Sequence, residues 1–204
     1  MPASHRMSCV SALRALVCAT VILVSGCAVA PSALDAPPAQ AGAPFAPYFY
    51  LAGRISVREN QRGDAGQLRW THSRDVEEIQ LLSPLGQVVA QIEQRAGRDA
   101  LLRTGSDTRR AGTMADLTRD ALGTAVPVHD LGFWLQGRVD PASGDAEVGA
   151  RDANGRPAQL THAGWSVALD DFRLVGAAVV ATRLTARRGD TVIKMVVDDW
   201  KALP

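Results

Sequence analysis

The sequence predicts a mainly β fold with two short helices, an α+β domain built on antiparallel strands. From Tyr48 onward, apolar and polar residues alternate with a period of two in runs that Gly, Asp and Ser separate. Such alternation is typical of antiparallel strands with one buried and one solvated face. Between Thr113 and Gly137 the apolar spacing changes to that of a helix. We therefore expect two helices that cross one side of an antiparallel sheet.

The first 26 residues are a secretory signal and not part of the fold. His5 and Arg6 precede a mostly apolar run that is too short for a membrane-spanning helix. The run ends at Val24-Ser25-Gly26-Cys27, which matches the lipobox of bacterial lipoproteins, where an apolar residue and two small residues precede the modified Cys. We expect cleavage before Cys27 and an N-acyl diacylglycerol group on that residue.

The cysteine content agrees with a lipoprotein. Cys9 and Cys18 lie in the leader, so only Cys27 remains after cleavage, and its acylation leaves no disulfide to hold the fold. Two or more acyl chains give stable anchoring, at about 0.8 kcal/mol per buried methylene. Ala28, and not Asp, follows the Cys, which favours the outer membrane. We expect a lipid-anchored protein on the periplasmic side of that membrane.

The mature chain divides into a tether and one domain. Residues 27–47 hold the acylated Cys and a stretch dominated by Ala and Pro, which buries too little apolar surface to order itself. Residues 48–204 form one domain of ordinary size, expected to be a monomer.

With 22 basic and 21 acidic residues the chain is nearly neutral, which argues against nucleic acid as a partner.

Nine runs carry the strand alternation, and we expect about nine to eleven strands in all. The segment from Arg138 to Gly149 is rich in Gly, Asp and Ala and is expected to be a loop, and Asn154-Gly155 predicts a hairpin turn. The nine runs are FYLAGRISVREN, GQLRWTHS, VEEIQLLS, GQVVAQIEQ, DALLRT, AQLTH, GWSVALDDF, VVATRLTARR and TVIKMVVDDW.

Start and stop signals define the two helices. Thr113, with Asp116 three positions later, resembles a capping box, and Gly123 is expected to end the first helix. Pro127 suits the start of the second helix, which runs towards Gly137. The residues expected on the apolar helix faces are Met114, Leu117, Ala121, Leu122, Leu131, Trp134 and Leu135.

A tight turn interrupts the segment LLSPLGQVVA between two of the strands. Pro84 pre-sets φ at the first corner and Gly86 supplies a permissive backbone, which leaves Leu85 in water. One exposed Leu is ordinary in a globular protein. The residues alone therefore leave two interpretations of Leu85 open, a tolerated exposure or a functional group.

The sequence offers little for catalysis. The mature histidines, His72, His129 and His162, are far apart and form no zinc-binding pair, and there is no G-x-S-x-G motif and no phosphate loop. His129 and Asp130 are neighbours on a helix and point in different directions. The sequence therefore predicts a protein that is not an enzyme.

Several of these segments together resemble the LolB family of outer-membrane lipoprotein receptors. They are the lipobox, GRISV, LRW, LLSPLGQ, LGTAVPVHDLGFWLQG and the terminal DDW, in the family's order over nearly the whole chain. The resemblance implies an open, incomplete antiparallel β-barrel, covered by short helices, with an apolar cavity for the acyl chains of another lipoprotein. It also implies that the carrier LolA is the donor, that the inner leaflet of the outer membrane is the destination, and that no cofactor takes part.

Within this resemblance, Leu85, flanked by Pro84 and Gly86, corresponds to the leucine of the membrane insertion loop. The cavity is assigned only by face alternation, so a register error of one residue would exchange inside and outside. The candidate residues of the acyl-chain cavity are Ile55, Val57, Leu68, Trp70, Ile79, Leu81, Val88, Ala90, Ile92, Trp134, Leu135, Trp165, Val167, Met195 and Val197.

Two other functions remain open at this point. The same apolar residues could fill an ordinary core, because a core and a cavity share one periodicity, and the protein would then be a structural or assembly lipoprotein that acts through protein contacts. A lipid or glycan hydrolase of the envelope is the other alternative, against which the absence of a recognisable nucleophile counts.

Overall fold

The computed structural model describes residues 43–140 and 142–204. The predicted leader, the acylation site at Cys27 and most of the tether lie outside the described residues.

Eleven antiparallel strands form one open sheet, in the order β6-β5-β4-β3-β2-β1-β11-β10-β9-β8-β7. The prediction of about nine to eleven strands in an incomplete barrel is confirmed, because the edge strands β6 and β7 do not pair with each other in the described residues. The strands are β1 (Phe49–Glu59), β2 (Arg62–His72), β3 (Val76–Leu82), β4 (Val88–Arg95), β5 (Ala100–Thr104), β6 (Thr108–Ala111), β7 (Ala146–Val148), β8 (Gln159–His162), β9 (Trp165–Val175), β10 (Ala178–Arg188) and β11 (Thr191–Ala202).

Two helices, α1 (Met114–Leu122) and α2 (Val128–Leu135), cover one face of the sheet. Thr113 caps α1, since its Oγ1 accepts a hydrogen bond from the Asp116 amide at 3.1 Å. Gly123 ends α1 in the left-handed conformation with φ 79°. Helix α1 packs on β4, β5 and β6, and α2 packs on β9 and β10. Among the described residues, no helix is long and apolar enough to cross a membrane.

Two of the eleven strands, β6 and β7, were not predicted from the sequence. Strand β7 lies inside the segment predicted as a loop from Arg138 to Gly149, and β6 precedes α1 where no strand was predicted. Both are edge strands of three or four residues that expose most of their side chains. Pairing with β5 and β8, and not a buried face of their own, holds them in the sheet.

Residues 43–47, which the sequence analysis assigned to the tether, pack on α2 and on Gln136 directly after it. Gln136 accepts a hydrogen bond from the Ala46 amide at 2.8 Å and donates to the Ala46 carbonyl at 3.1 Å. The ring of Phe45 stacks on Phe133 of α2, with centroids 4.8 Å apart. The sequence does not reveal these contacts, since they pair residues about 90 positions apart.

Gly53 of the GRISV segment lies where the pairing of β1 with β11 shifts register, between Ala52 and Gly53. A Cβ at this position would overlap the carbonyl oxygen of Val196. We expect Gly53→Ala to lower the free energy of unfolding by about 1 to 3 kcal/mol, because the backbone must move to relieve the overlap. Urea unfolding measures this loss. The matched variant Gly105→Ala, with no atom within 4 Å of the added Cβ, is expected to change stability far less.

Candidate functional site

A cavity of about 300 Å³ lies between the sheet and the two helices. Strands β1 to β4 and β11 form its floor and walls, while Thr118 and Leu122 of α1 and Leu131 of α2 contribute from above. The volume is at the lower end of the range for small-molecule sites, about 300 to 1,000 Å³. The concave face of the sheet therefore holds a void and is not packed throughout.

The cavity wall is almost entirely apolar. Thr118 is a polar lining residue, and its hydroxyl is satisfied, because it donates to the Ala115 carbonyl and accepts from the Val126 amide at 2.9 Å. The indole N–H of Trp70 donates to Glu77, so its ring can offer carbon atoms to the cavity. Asp64 is the one ionisable lining residue in the described part of the chain, and it is exposed. This surface suits a hydrocarbon ligand.

Eight of the fifteen candidate residues line the cavity. Helix α2 and the segment before it contribute further lining residues, but these are not Trp134 and Leu135, the α2 residues that the sequence analysis assigned to the cavity. The eight are Ile55, Val57, Leu68, Trp70, Ile79, Leu81, Ile92 and Met195, and the residues that the prediction missed include Leu82, Val89, Leu122, Val126, Val128 and Leu131.

Five candidates lie in a packed core at the other end of the concave face, and their assignment to the cavity is corrected. The indole of Trp134 fills this region, with its ring centroid 6.2 Å from that of Trp165 and 5.9 Å from that of His162. The inner face of the sheet is thus hollow under α1 and the start of α2, and filled under the end of α2. The five corrected residues are Trp134, Leu135, Trp165, Val167 and Val197, all less than 9% exposed.

The two remaining candidates, Val88 and Ala90, are on β4 and are also corrected. A register shift places Leu82 opposite Val88, while Leu81 pairs with Ala90, so Val89 has no partner opposite it on β3. Such a bulge changes the face that the following residues present. Val89 lines the cavity and Val88 does not. Ala90 is half-buried against the core beside the cavity.

The predicted turn forms a sharp hairpin tip between β3 and β4. The Gly86 amide donates to the Ser83 carbonyl at 2.9 Å, the Ser83 amide donates to the Gln87 carbonyl at 2.8 Å, and Gly86 has φ 79°. This is the three-residue hairpin loop, a type I turn followed by a left-handed residue. Leu85 at the tip is 88% exposed. Val88 and Val89, which follow the tip on β4, are each about half exposed, and Val89 also lines the cavity.

The polar groups considered for catalysis have structural roles. His129 contacts Asp140 at 2.8 Å, not Asp130, and the Ala142 amide together with His129 holds the pKa of Asp140 below its ordinary value. His162 is fully buried and accepts a hydrogen bond from the Trp134 indole at 3.2 Å. The described residues contain no group of three side chains suited to a metal ion.

Comparisons with known proteins agree with this geometry. Residues 48–200 match the family model described as outer membrane lipoprotein LolB. The chain is 37% identical over 183 residues to an outer-membrane lipoprotein LolB of Thiobacillus denitrificans, covering 89% of this chain and 93% of that protein. It is 32% identical to the Azoarcus protein of the same name, covering 94% and 96% of the two chains.

Solved structures support the same fold at much lower sequence identity. A LolA superfamily protein from Nitrosomonas europaea superimposes with a TM-score of 0.50 at 12% identity, over 78% of this chain and 87% of that one. A putative outer membrane lipoprotein-sorting protein domain from Vibrio parahaemolyticus gives a TM-score of 0.50 at 10% identity, over 76% and 84%. At such identities the likeness concerns the fold alone.

Proposed function

This chain belongs to the LolB family of outer-membrane lipoproteins, and from that premise we propose that it receives lipoproteins from the periplasmic carrier LolA and inserts them into the inner leaflet of the outer membrane. Family membership supports a role in lipoprotein localisation and agrees with the prediction that the chain is not an enzyme. The acceptance and insertion steps are our proposal.

The observation that carries the proposal is the apolar cavity beside an exposed hairpin tip. The cavity offers hydrocarbon surface for the acyl chains of the cargo, and Val89 of its lining is on β4, four residues after Leu85 at the tip. The same void counts against the alternative of a structural lipoprotein, which would fill its core.

Free energies of transfer explain how such a step proceeds without a cofactor. Each methylene exposed to water costs about 0.8 kcal/mol, so acyl chains must pass from one apolar surface to the next. A difference of about 1.4 kcal/mol between donor and acceptor already biases the transfer tenfold. We propose that affinity rises from carrier to cavity to bilayer, and that the only lipid the protein holds permanently is the acyl group on Cys27.

The tether permits contact between the tip and the membrane. Residue 43, where the described domain begins, is sixteen positions beyond Cys27, a separation that spans at most about 55 Å. An eleven-residue strand such as β1 is about 37 Å long. The domain can therefore place either end of the sheet at the membrane while Cys27 stays anchored.

Transfer of cargo tests the proposal directly. The mature chain with Cys27→Ala is mixed with LolA that carries a labelled lipoprotein, and the two proteins are then separated by affinity tags. We expect the label to move to this chain, because its cavity accepts the acyl groups. Label that stays on intact LolA would contradict the proposal, and a structural lipoprotein with a filled core predicts that outcome.

A further inference from the structure

Three cations lie together on the outer face of the sheet, opposite the cavity. Arg58 of β1 and Arg187 of β10 both pair with Val192 of β11, one from each side. Lys194 is two residues further along β11 on the same face. Strands are spaced about 4.8 Å apart, and alternate residues of one strand about 7 Å, so the three positions lie within roughly 10 Å of one another. We call Arg58, Arg187 and Lys194 the cationic cluster.

The cationic cluster has no ion-pair partner in the part of the chain that the structure describes. Some other surface cations do have one, as Arg54 does with Asp198 at 3.1 Å, whereas Arg74 and Arg98 at the opposite end of the sheet do not have one among the described residues. Arg58 and Lys194 line a small recess of about 220 Å³ with Val192 at its side. Asp64 also lines this recess, but by strand alternation it belongs to the cavity face.

The carboxylates closest in sequence to the cluster are Glu59, next to Arg58, and the exposed Asp190 in the turn between β10 and β11. Glu59 accepts a hydrogen bond from the Thr191 hydroxyl. Three exposed cations without an ion pair, two of which line the recess, form a local positive potential that favours an anionic partner.

The register places this cluster level with the hairpin tip. Leu82 pairs with Gln67, and Gln67 pairs with Arg54. Leu85 is three residues beyond Leu82, which brings it level with Val57, next to Arg58. The hairpin of β3 and β4 is displaced from β1 by about two strand spacings, roughly 10 Å. A leaflet that receives the side chain of Leu85 therefore presents its phosphate groups close to the cluster.

We propose that the cationic cluster binds the headgroups of anionic phospholipids while the Leu85 hairpin enters the leaflet. The inference rests on the proposed function in one respect, that Leu85 contacts lipid. Headgroup binding fixes the orientation of the domain, because the outer face of β1, β10 and β11 and the tip of the hairpin must meet the membrane together. A basic residue near an anionic membrane strengthens binding about fivefold.

The test places a fluorescent probe next to the tip. The acylated mature protein with Gln87→Cys carries a polarity-sensitive dye on its one free thiol, since acylation occupies Cys27. It is reconstituted into vesicles of phosphatidylcholine alone, or with about one third phosphatidylglycerol. We expect anionic vesicles to raise the ratio of lipid-inserted to water-exposed probe by at least tenfold, and about 1 M salt to remove this increase.

Two double variants separate the cluster from net charge. Arg58→Gln with Lys194→Gln is expected to lower the ratio on anionic vesicles about 25-fold, at about fivefold per cation. Arg74→Gln with Arg98→Gln makes the same change of charge in turns at the opposite end of the sheet and is expected to retain the ratio. Equal loss in both doubles, or an equal ratio on both kinds of vesicle, overturns headgroup binding.

A third outcome concerns the proposed function itself. A probe that stays in water on both kinds of vesicle overturns the membrane contact of the hairpin and the headgroup inference with it. Because the salt titration uses the probe-labelled chain without any cluster substitution, it decides on the electrostatic contribution even if a double variant folds poorly.

Discussion

Leu85→Glu is expected to lower delivery of lipoproteins to membranes by at least tenfold while leaving cargo acceptance within about twofold of normal. Burial of one Leu side chain yields about 1.5 to 3 kcal/mol, and a carboxylate in its place must be desolvated to enter lipid. Acceptance is spared because Leu85 projects into solvent and is not a cavity residue. The measurement compares transfer from LolA to the protein with transfer from the protein to vesicles.

The chain provides a matched control for this substitution. Leu174 is 63% exposed near the turn between β9 and β10, at the opposite end of the sheet. Leu174→Glu introduces the same charge at another exposed Leu and is expected to deliver cargo normally. Normal delivery by Leu85→Glu would show that the exposure of Leu85 is only tolerated and that this residue has no part in delivery. A loss in both variants would point to charge and not to the hairpin.

The inner face of the sheet could be predicted from the sequence because the pleat permits few exceptions. Ile55, Leu68 and Ile79 follow strict alternation, and each lies where that alternation places it. The same rule failed at Val88, since a bulge adds one residue to β4 and reverses the face beyond it. A bulge depends on which partner residues form hydrogen bonds across the sheet, and a single strand does not carry that information.

Whether an inner-face residue borders a void or a packed core could not be predicted in the same way. Trp70 and Trp165 have similar burial and similar strand patterns, yet Trp70 lines the cavity and Trp165 packs near Trp134 of α2. The difference depends on where α2 lies above the sheet, which is a long-range property of the fold. Edge strands β6 and β7 escaped prediction for a related reason, because their neighbours and not their own patterns define them.

Filling the cavity with larger side chains is expected to have the second large effect on function, because this part of the inner face is hollow. Ile55→Trp with Leu81→Trp enlarges two half-buried side chains that already face the void. We expect the affinity for a fluorescent fatty acid to fall by at least tenfold, and acceptance of cargo from LolA to fall with it, because the new rings occupy the space of the ligand. Stability is expected to change by less than about 1.5 kcal/mol, since the rings enter empty volume.

Two further variants decide whether the cavity, and not a general loss of structure, explains that result. Gln67→Trp with Gln80→Trp places the same rings on the outer face of β2 and β3 and is expected to leave fatty-acid binding unchanged. Val167→Trp adds a ring to the filled half, where Val167 is 1% exposed, and is expected to cost about 1 to 3 kcal/mol through overpacking. A structural lipoprotein with a filled core predicts the opposite pattern, in which the parent chain binds no fatty acid and Ile55→Trp with Leu81→Trp destabilises the fold as much as Val167→Trp does.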